Sequence, residues 1–289
     1  MKIKVTKTCT IFNFLKEHYP DSPRTRIKKI LKSGIVSVND RSVTYHALVV
    51  NPDDEVEIHK KPGSVAGRVI PFPVLYDDRE LIVVDKPAGI STSSIDGSRS
   101  VREVVSEFLK NLSKGKHLAY VVHRLDKEVS GVLLFAKTRK AMEVLKEKWP
   151  ETEKHYFALV EGIPLKTAGT IKSWLIEDKL QKVKSVKKQP DARFAVTNYT
   201  VIRKFKDTAL LDIRTDTGRK NQIRVHLSES GHPIVGDRKY GASGKFIRRV
   251  RLHAYSLSFP HPADGRVVIV KSPMPEGFLV LKEQDEKYK

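Results

Sequence analysis

The segment YVVHRLDKEVSGVLLFAK places His123, Arg124, Leu125 and Asp126 directly after one apolar run and Ser130-Gly131 directly before another. A polar loop held between two buried strands is a usual mount for a reactive group. An ionised aspartate in such a loop can act as a nucleophile without a metal. Taken alone, it fits a structural turn better than a catalytic role. Other chemistries lack their parts: the chain contains no Gly-rich phosphate loop, no His-Glu-x-x-His, no paired cysteines and no Gly-x-Ser-x-Gly, so nucleotide hydrolysis, zinc chemistry and serine esterase chemistry are excluded.

The elements around this loop can be read from periodicity. LIVVD, LAYVV and GVLLFA read as short buried strands, VREVVSEFLKNL and TRKAMEVLKEKW as amphipathic helices, and KHYFALVEG as a further strand. ALLDIRTD and VVIVKS add strands, and a helix runs through RKNQIRVHLSES to Gly231. Strands follow strands often enough to predict a mixed α/β (α+β) fold with a mixed, largely antiparallel sheet. The lysine-rich residues 178–189 read as an exposed, solvated hairpin or loop.

Residues 8–60 form a unit of their own. A short helix is expected around Ile11 to His18, then a second in PRTRIKKILKSG, opened by Ser22-Pro23 and stopped at Gly34. Ile27, Ile30 and Leu31 give the second helix one apolar face, while Arg24, Arg26, Lys28, Lys29 and Lys32 leave the rest basic. VSVNDRSVTY then reads as a hairpin turning at Asn39-Asp40, with DEVEI as a further strand. The Gly- and Pro-rich stretch near residues 60–73 reads as a linker. The expected organisation is residues 1–62, a linker at 63–73, and a larger domain over 74–289.

Composition points to the partner. Against 34 acidic residues stand 54 Lys and Arg, a net charge of +20, of the sign and size that attract polyphosphate. A basic membrane binder would pair such charge with an amphipathic or lipidated anchor, which the sequence lacks. No apolar run reaches membrane length or forms a signal peptide. The single cysteine, Cys9, forbids an intrachain disulfide and suits a reducing compartment. The expectations are a cytoplasmic, nucleic-acid-binding protein and a monomer, with no membrane partner.

HRLDKEVSGVLLFAK resembles the signature of the large-ribosomal-subunit class of pseudouridine synthases, written His-Arg-Leu-Asp with Thr-Ser-Gly following. LIVVDKPAGIST (81–92) is similar to that family's Lys-Pro-Ala-Gly segment and KHYFALVEG (154–162) to its tyrosine motif. TDTGRKNQIRVHLSESGHPIVGDRKYG (215–241) and RLHAYSLSFPHP (251–262) resemble its later blocks, in the family's order. The N-terminal unit resembles the small RNA-binding domain named after ribosomal small-subunit protein S-four, over about a fifth of the chain.

The resemblance implies an RNA pseudouridine synthase with no cofactor and no metal. Asp126 would be the catalytic carboxylate, Tyr156 would lie against the target base and share in proton transfer, and Arg224 would pair with Asp126 and keep it ionised. Arg124 would occupy the space left by the turned-out base. Arg219, Lys220 and His226, with Arg251 and His253, would add to an RNA-facing basic surface, and Arg24, Arg26, Lys28, Lys29 and Lys32 would grip RNA from the N-terminal unit. His123 and His232 read as structural. Ribosomal RNA is the favoured substrate, transfer RNA the second. Val129 stands where the family has Thr, and Lys220-Asn221 where it has Thr-His, so pocket detail or target choice is expected to differ. A catalytically silent ribosome-assembly factor is the rival reading; a DNA-binding regulator lacks any helix-turn-helix or zinc motif.

Overall fold

The computed structural model describes residues 2–32, 35–39, 41–43, 46, 49–50, 52–59, 70–94, 99–244 and 249–279. In chain order its elements begin with β1 (Lys2–Lys4), β2 (Cys9–Thr10), α1 (Ile11–His18), α2 (Arg24–Lys32), β3 (Val36–Val38), β4 (Arg41–Ser42), β5 (Val49–Val50) and β6 (Glu55–Ile58). There follow β7 (Val74–Asp77), β8 (Leu81–Lys86), α3 (Val101–Leu112), β9 (Tyr120–Val121), β10 (Ser130–Ala136), α4 (Arg139–Glu147) and β11 (Glu153–Glu161). The last are β12 (Ala168–Glu177), β13 (Val183–Val186), β14 (Arg193–Lys204), β15 (Thr208–Thr215), α5 (Gln222–Glu229), β16 (Leu252–Pro260) and β17 (Val267–Lys271). The chain folds into two compact units: Met1–Asp85, Ser93–Val122 and Leu134–Met142 make one, and Lys86–Thr92, His123–Leu133 and Glu143–Lys289 the other.

In the first unit, Thr10 caps α1 by accepting from the Asn13 amide at 3.2 Å, and Ile11, Phe12, Phe14 and Leu15 turn inward. Ile27 and Leu31 of α2 meet them in a core shared with Val36, Val38, Val50 and Val56, each full burial contributing about 1.5–3 kcal/mol. β1, β6, β3 and β4 form a small sheet in that order. The β3–β4 hairpin pairs Val38 with Arg41 and turns through Asn39 at φ 50°, a left-handed conformation that asparagine tolerates. Asp40, Gly34 and most of the expected linker (60–69) lie outside the described residues. Ser100 and Glu103 close a reciprocal capping box on α3.

The second unit is built on a sheet whose strands run β13-β12-β14-β15-β11-β16-β10, with β17 on β16. Neighbours are antiparallel except β10 and β16, which run parallel, Ser130 opposite His253 and Gly131 opposite Ala254. That crossing needs glycine: at φ 120° a Cβ on Gly131 would lie 2.1 Å from the Ala254 carbonyl oxygen. α5 packs on one face of this sheet, where Leu175, Val183 and Ala195 meet Val225 and Tyr240.

The mixed, largely antiparallel sheet is as expected. LAYVV reads as a buried strand, but only Tyr120–Val121 pairs, and both residues are half-exposed. The long strands β12, β14 and β16 go unrecognised in the sequence reading. β12 and β14 alternate with many half-exposed polar residues, which blunts an apolar signal. Residues 178–189 do form the tip of a hairpin: Asp178 Oδ1 accepts from the amides of Leu180 and Lys182, both at 2.9 Å, before β13 returns along β12.

Candidate active site

Asp126 sits in the loop that enters β10 at Ser130, a loop within the second unit, and the peptide groups beside it are tied down. Thr92 Oγ1 donates to the Leu125 carbonyl at 2.8 Å and accepts from the Leu125 amide at 3.1 Å. The Lys127 carbonyl accepts from the Gly89 amide at 2.7 Å and from Lys86 Nζ at 3.3 Å. Lys86, fully buried, also donates to the carbonyls of Pro87 at 3.0 Å and Ile90 at 2.8 Å. The Lys-Pro-Ala-Gly segment is thus a brace for the aspartate loop. Beyond it, Ser130 Oγ bonds His253 Nδ1 at 3.0 Å where β10 meets β16.

α5 supplies the counter-ion. Asn221, left-handed at φ 53°, turns the chain into the helix, and Gln222 fixes the preceding loop. Its Oε1 accepts from Thr217 Oγ1 at 2.7 Å and from the Arg219 amide at 3.0 Å, and its Nε2 donates to the Val196 carbonyl at 2.9 Å. Arg224 then reaches inward. Its guanidinium grips Asp237 with two bonds, Nε to Oδ2 at 2.6 Å and Nη2 to Oδ1 at 2.9 Å. Nη1 donates to Glu128 at 3.0 Å and to Asn221 at 3.2 Å, and stands 3.5 Å from Asp126 Oδ2. The ring of Tyr240 lies below the guanidinium, 5.0 Å away. Arg224 is 4% and Asp237 1% exposed, a pair whose desolvation is offset only because every partner is charged or hydrogen-bonded.

These groups surround a cleft of about 450 Å3, counted to its open mouth, lined by Asp126, Tyr156, Arg224, Arg124, Arg219, Val129 and Leu252. Burial is the larger influence on the Asp126 carboxyl and pushes it above the ordinary carboxylate range. Arg224 pulls it back, while Glu128 and Asp237 add to the rise. The expected pairing of Arg224 with Asp126 is therefore present but shared three ways, and its ionising pull is outweighed by burial. Burial likewise raises the phenol of Tyr156, reinforced by the Asp126 charge, so at neutral pH Tyr156 is a donor. It sits at a bulge of β11 against β16, which sets its side chain apart from the regular alternation.

The other expected residues divide by exposure. Arg124 and Arg219 are exposed at the cleft rim, Arg219 Nε donating to the Phe194 carbonyl at 3.0 Å. Lys220 is exposed and ion-paired to Glu177. His226 corrects the sequence reading: it is 1% exposed, with Nε2 on Ser173 and Nδ1 on Thr197, both at 2.9 Å, so neither nitrogen is offered to RNA. Arg251 and His253 are buried too, and burial lowers the His253 imidazole to about 4. His232 bonds the Glu161 carbonyl at 3.2 Å and His123 stacks on Trp149, structural positions both. In the first unit, Arg24, Arg26, Lys28 and Lys29 are exposed on α2; the side chain of Lys32 lies outside the described residues. Sequence reasoning misses Glu128, Asp237 and Lys86 as site residues. The available signals are the Gly-Asp of GHPIVGDRKYG for Asp237 and the Lys-Pro-Ala-Gly segment for Lys86, blocks that resemble the family's without revealing a role.

Among the described residues no group of three or more His, Cys, Asp or Glu is placed to hold a metal ion, and no helix is long and apolar enough to cross a membrane. Residues 80–229 match the family described as RNA pseudouridylate synthase. An uncharacterised RNA pseudouridine synthase of Aquifex aeolicus is 32% identical over 285 residues, covering 92% of this chain and 90% of its own. Ribosomal large subunit pseudouridine synthase C of Escherichia coli is 32% identical over 292 residues, with the same coverage, 92% and 90%. The solved structure of human RNA Pseudouridylate Synthase Domain Containing 4 superposes with a TM-score of 0.61 at 25% identity, over 71% of this chain and 90% of that one.

Proposed function

Since this chain belongs to the RNA pseudouridylate synthase family, an isomerase family, we propose that it converts specific uridines of large-subunit ribosomal RNA to pseudouridine with Asp126 as the catalytic carboxylate. The observation that carries the assignment is the Asp126 carboxylate lining the cleft, on a braced loop and beside the buried guanidinium of Arg224. The name of the E. coli relative supports ribosomal RNA as the substrate.

A uridine in folded RNA must leave the stack to reach such a cleft, at a cost of a few kcal/mol. Arg124, exposed at the rim, takes the vacated space. Ionised Asp126 then adds to the uracil ring or attacks the ribose. The glycosidic bond breaks, the base turns over, and it rejoins through carbon. No atom is gained or lost, and no redox change occurs. Tyr156 lies against the ring and, as a neutral phenol, passes a proton to N1 and is reprotonated from solvent. The regenerated Asp126 carboxylate accepts the proton from C5 and releases it to solvent, so the ring is only tautomerised and the enzyme is restored. The N-terminal residues, S-four-like by resemblance, hold flanking RNA through Arg24, Arg26, Lys28 and Lys29, in a cytoplasmic setting.

The test is tritium release from uracil labelled at C5, using ribosomal RNA from a strain lacking this gene, with wild type and Asp126→Asn in parallel. Release by the wild type alone supports the assignment. Release only from transfer RNA moves the substrate, and release from neither RNA favours a silent assembly factor.

A further inference from the structure

The strands β12, β13 and β14 have a second face that the pocket does not use. In antiparallel strands, residues paired across the ladder point to the same side. Ser173 and Leu175, with Ala195, turn toward α5, where Ser173 meets His226 and Leu175 packs on Val225. The alternate set therefore points away: Trp174 opposite both Phe194 and Val186, Lys172 opposite Val196, and Lys184 opposite Ile176. Phe194 is 39% exposed, a large apolar ring left in water. It leans on Trp174, ring centroids 5.3 Å apart, and Lys188 Nζ hangs 5.5 Å over the Trp174 ring. Lys172, Lys184 and Lys188 are exposed, and none of the three makes an ion pair among the described residues.

The geometry points to this face as a second contact surface for the substrate, a stacking platform on which Trp174 and Phe194 take a base of single-stranded RNA flanking the target uridine while the lysines hold its phosphates. An exposed ring, Phe194, backed by a half-buried Trp174 on a sheet face bordered by cations is what single-stranded nucleic acid recognition requires, because every base has a π-face and every linkage a charge. The face is continuous with the site: Arg219 lines the pocket and its guanidinium bonds the carbonyl of Phe194. The Val196 amide, on the same strand, donates to Thr217 of the pocket wall at 2.9 Å. Residues 178–189, solvated on the sequence reading, thereby acquire a partner through Lys184 and Lys188. The proposal rests on the RNA-modifying reading of the pocket and extends it to where the strand runs outside.

The chain has two tryptophans, so Trp149→Phe leaves Trp174 as the only indole emitter. This full-length variant would be titrated with a short oligouridylate at low salt. Saturable quenching that weakens as salt rises is expected. Phe194→Ala should raise the oligouridylate Kd roughly 5- to 100-fold, the range that base–aromatic stacking supplies. Lys172→Ala with Lys184→Ala should flatten the dependence of log Kd on log salt by roughly one for each phosphate no longer neutralised. In tritium release from ribosomal RNA the same variants should raise KM and leave kcat unchanged. Absence of quenching, or an unaltered Kd in both variants, overturns the proposal. So does a change in molecular mass by light scattering on Phe194→Ala, which would mean that a second copy of the chain covers the face. If quenching and Kd shifts appear but the wild type releases no tritium, the surface stands and the catalytic assignment falls.

Discussion

Asp237→Asn is the substitution that separates holding Arg224 from reacting with RNA. Arg224 has two short bonds to Asp237, at 2.6 and 2.9 Å, and both side chains are almost fully buried. Removing one partner of such a pair typically costs about 3–5 kcal/mol. Asparagine keeps one acceptor but turns its NH2 toward a guanidinium N–H, so donor meets donor. Against that, Nη1 still has Glu128 at 3.0 Å and Asn221 at 3.2 Å, which moves the loss toward the lower bound, about 3 kcal/mol. For a chain of 289 residues that corresponds to a fall in Tm of roughly 5 °C, and urea melts with an unchanged m-value would report it directly. The pH profile of tritium release then tells where the guanidinium has gone. If Arg224 swings toward Glu128, Asp126 loses the stronger of the influences opposing burial, and the acid limb of kcat/KM moves to higher pH. If Arg224 stays put, Asp126 has only lost a neighbouring negative charge and the limb moves down. An unchanged urea midpoint would refute the buried-pair reasoning, and a downward limb with turnover intact would refute the positioning role of Asp237.

Asp126→Asn should abolish tritium release and stabilise the fold at neutral pH. The sign follows from burial raising the folded-state carboxyl: the folded chain holds this proton more tightly than the unfolded one, so its contribution is lost as pH rises from the unfolded value, about 3.9, through the folded one. The advantage of the Asp126→Asn variant over the wild type should therefore vanish in melts below about pH 4. For the same reason the acid limb of wild-type kcat/KM should lie above the ordinary carboxylate range. Lys86→Met should lower the stability measured in urea by about 1–3 kcal/mol for each carbonyl left without a donor, and should reduce kcat because the Asp126 loop loses its brace; a fully active Lys86→Met protein would contradict the bracing role. Gly131→Ala should give little folded protein, since the 2.1 Å contact is with backbone and no side chain can move aside; a normal melt would contradict the close β10–β16 crossing.

Helices α1, α3 and α4 and strands β8, β10, β11 and β15 are legible in the sequence because each carries a clear period or an unbroken apolar run. The trio Asp126, Tyr156 and Arg224 is legible through motif resemblance, and the structure gathers it around one cleft. The error lies in α5. Its residues from Gln222 to Leu227 are all buried, so no polar face marks which side meets solvent, and a basic helix in a +20 chain reads as an RNA surface. His226 is misread for that reason. Asp237 cannot be paired with Arg224 from spacing alone, because the two belong to different elements and meet only through the fold. Lys86 falls within a recognisable segment, but a lysine satisfied by three carbonyls leaves no trace in hydropathy.

The tether on both sides of Asp126, Thr92 at Leu125 and Lys86 at Lys127, has a consequence for how such an enzyme can diversify. On the proposed assignment, in which Asp126 reacts and the basic helix holds RNA, the backbone bonds immobilise the carboxylate inside one unit, and substitutions on exposed strands and on that helix can redraw which RNA is held without disturbing the reaction. The departures at Lys220 and at Val129 are of two kinds in that respect: Lys220 lies on the outside, free to drift with the target, whereas Val129 is walled into the cleft and can change only together with what the cleft must accept.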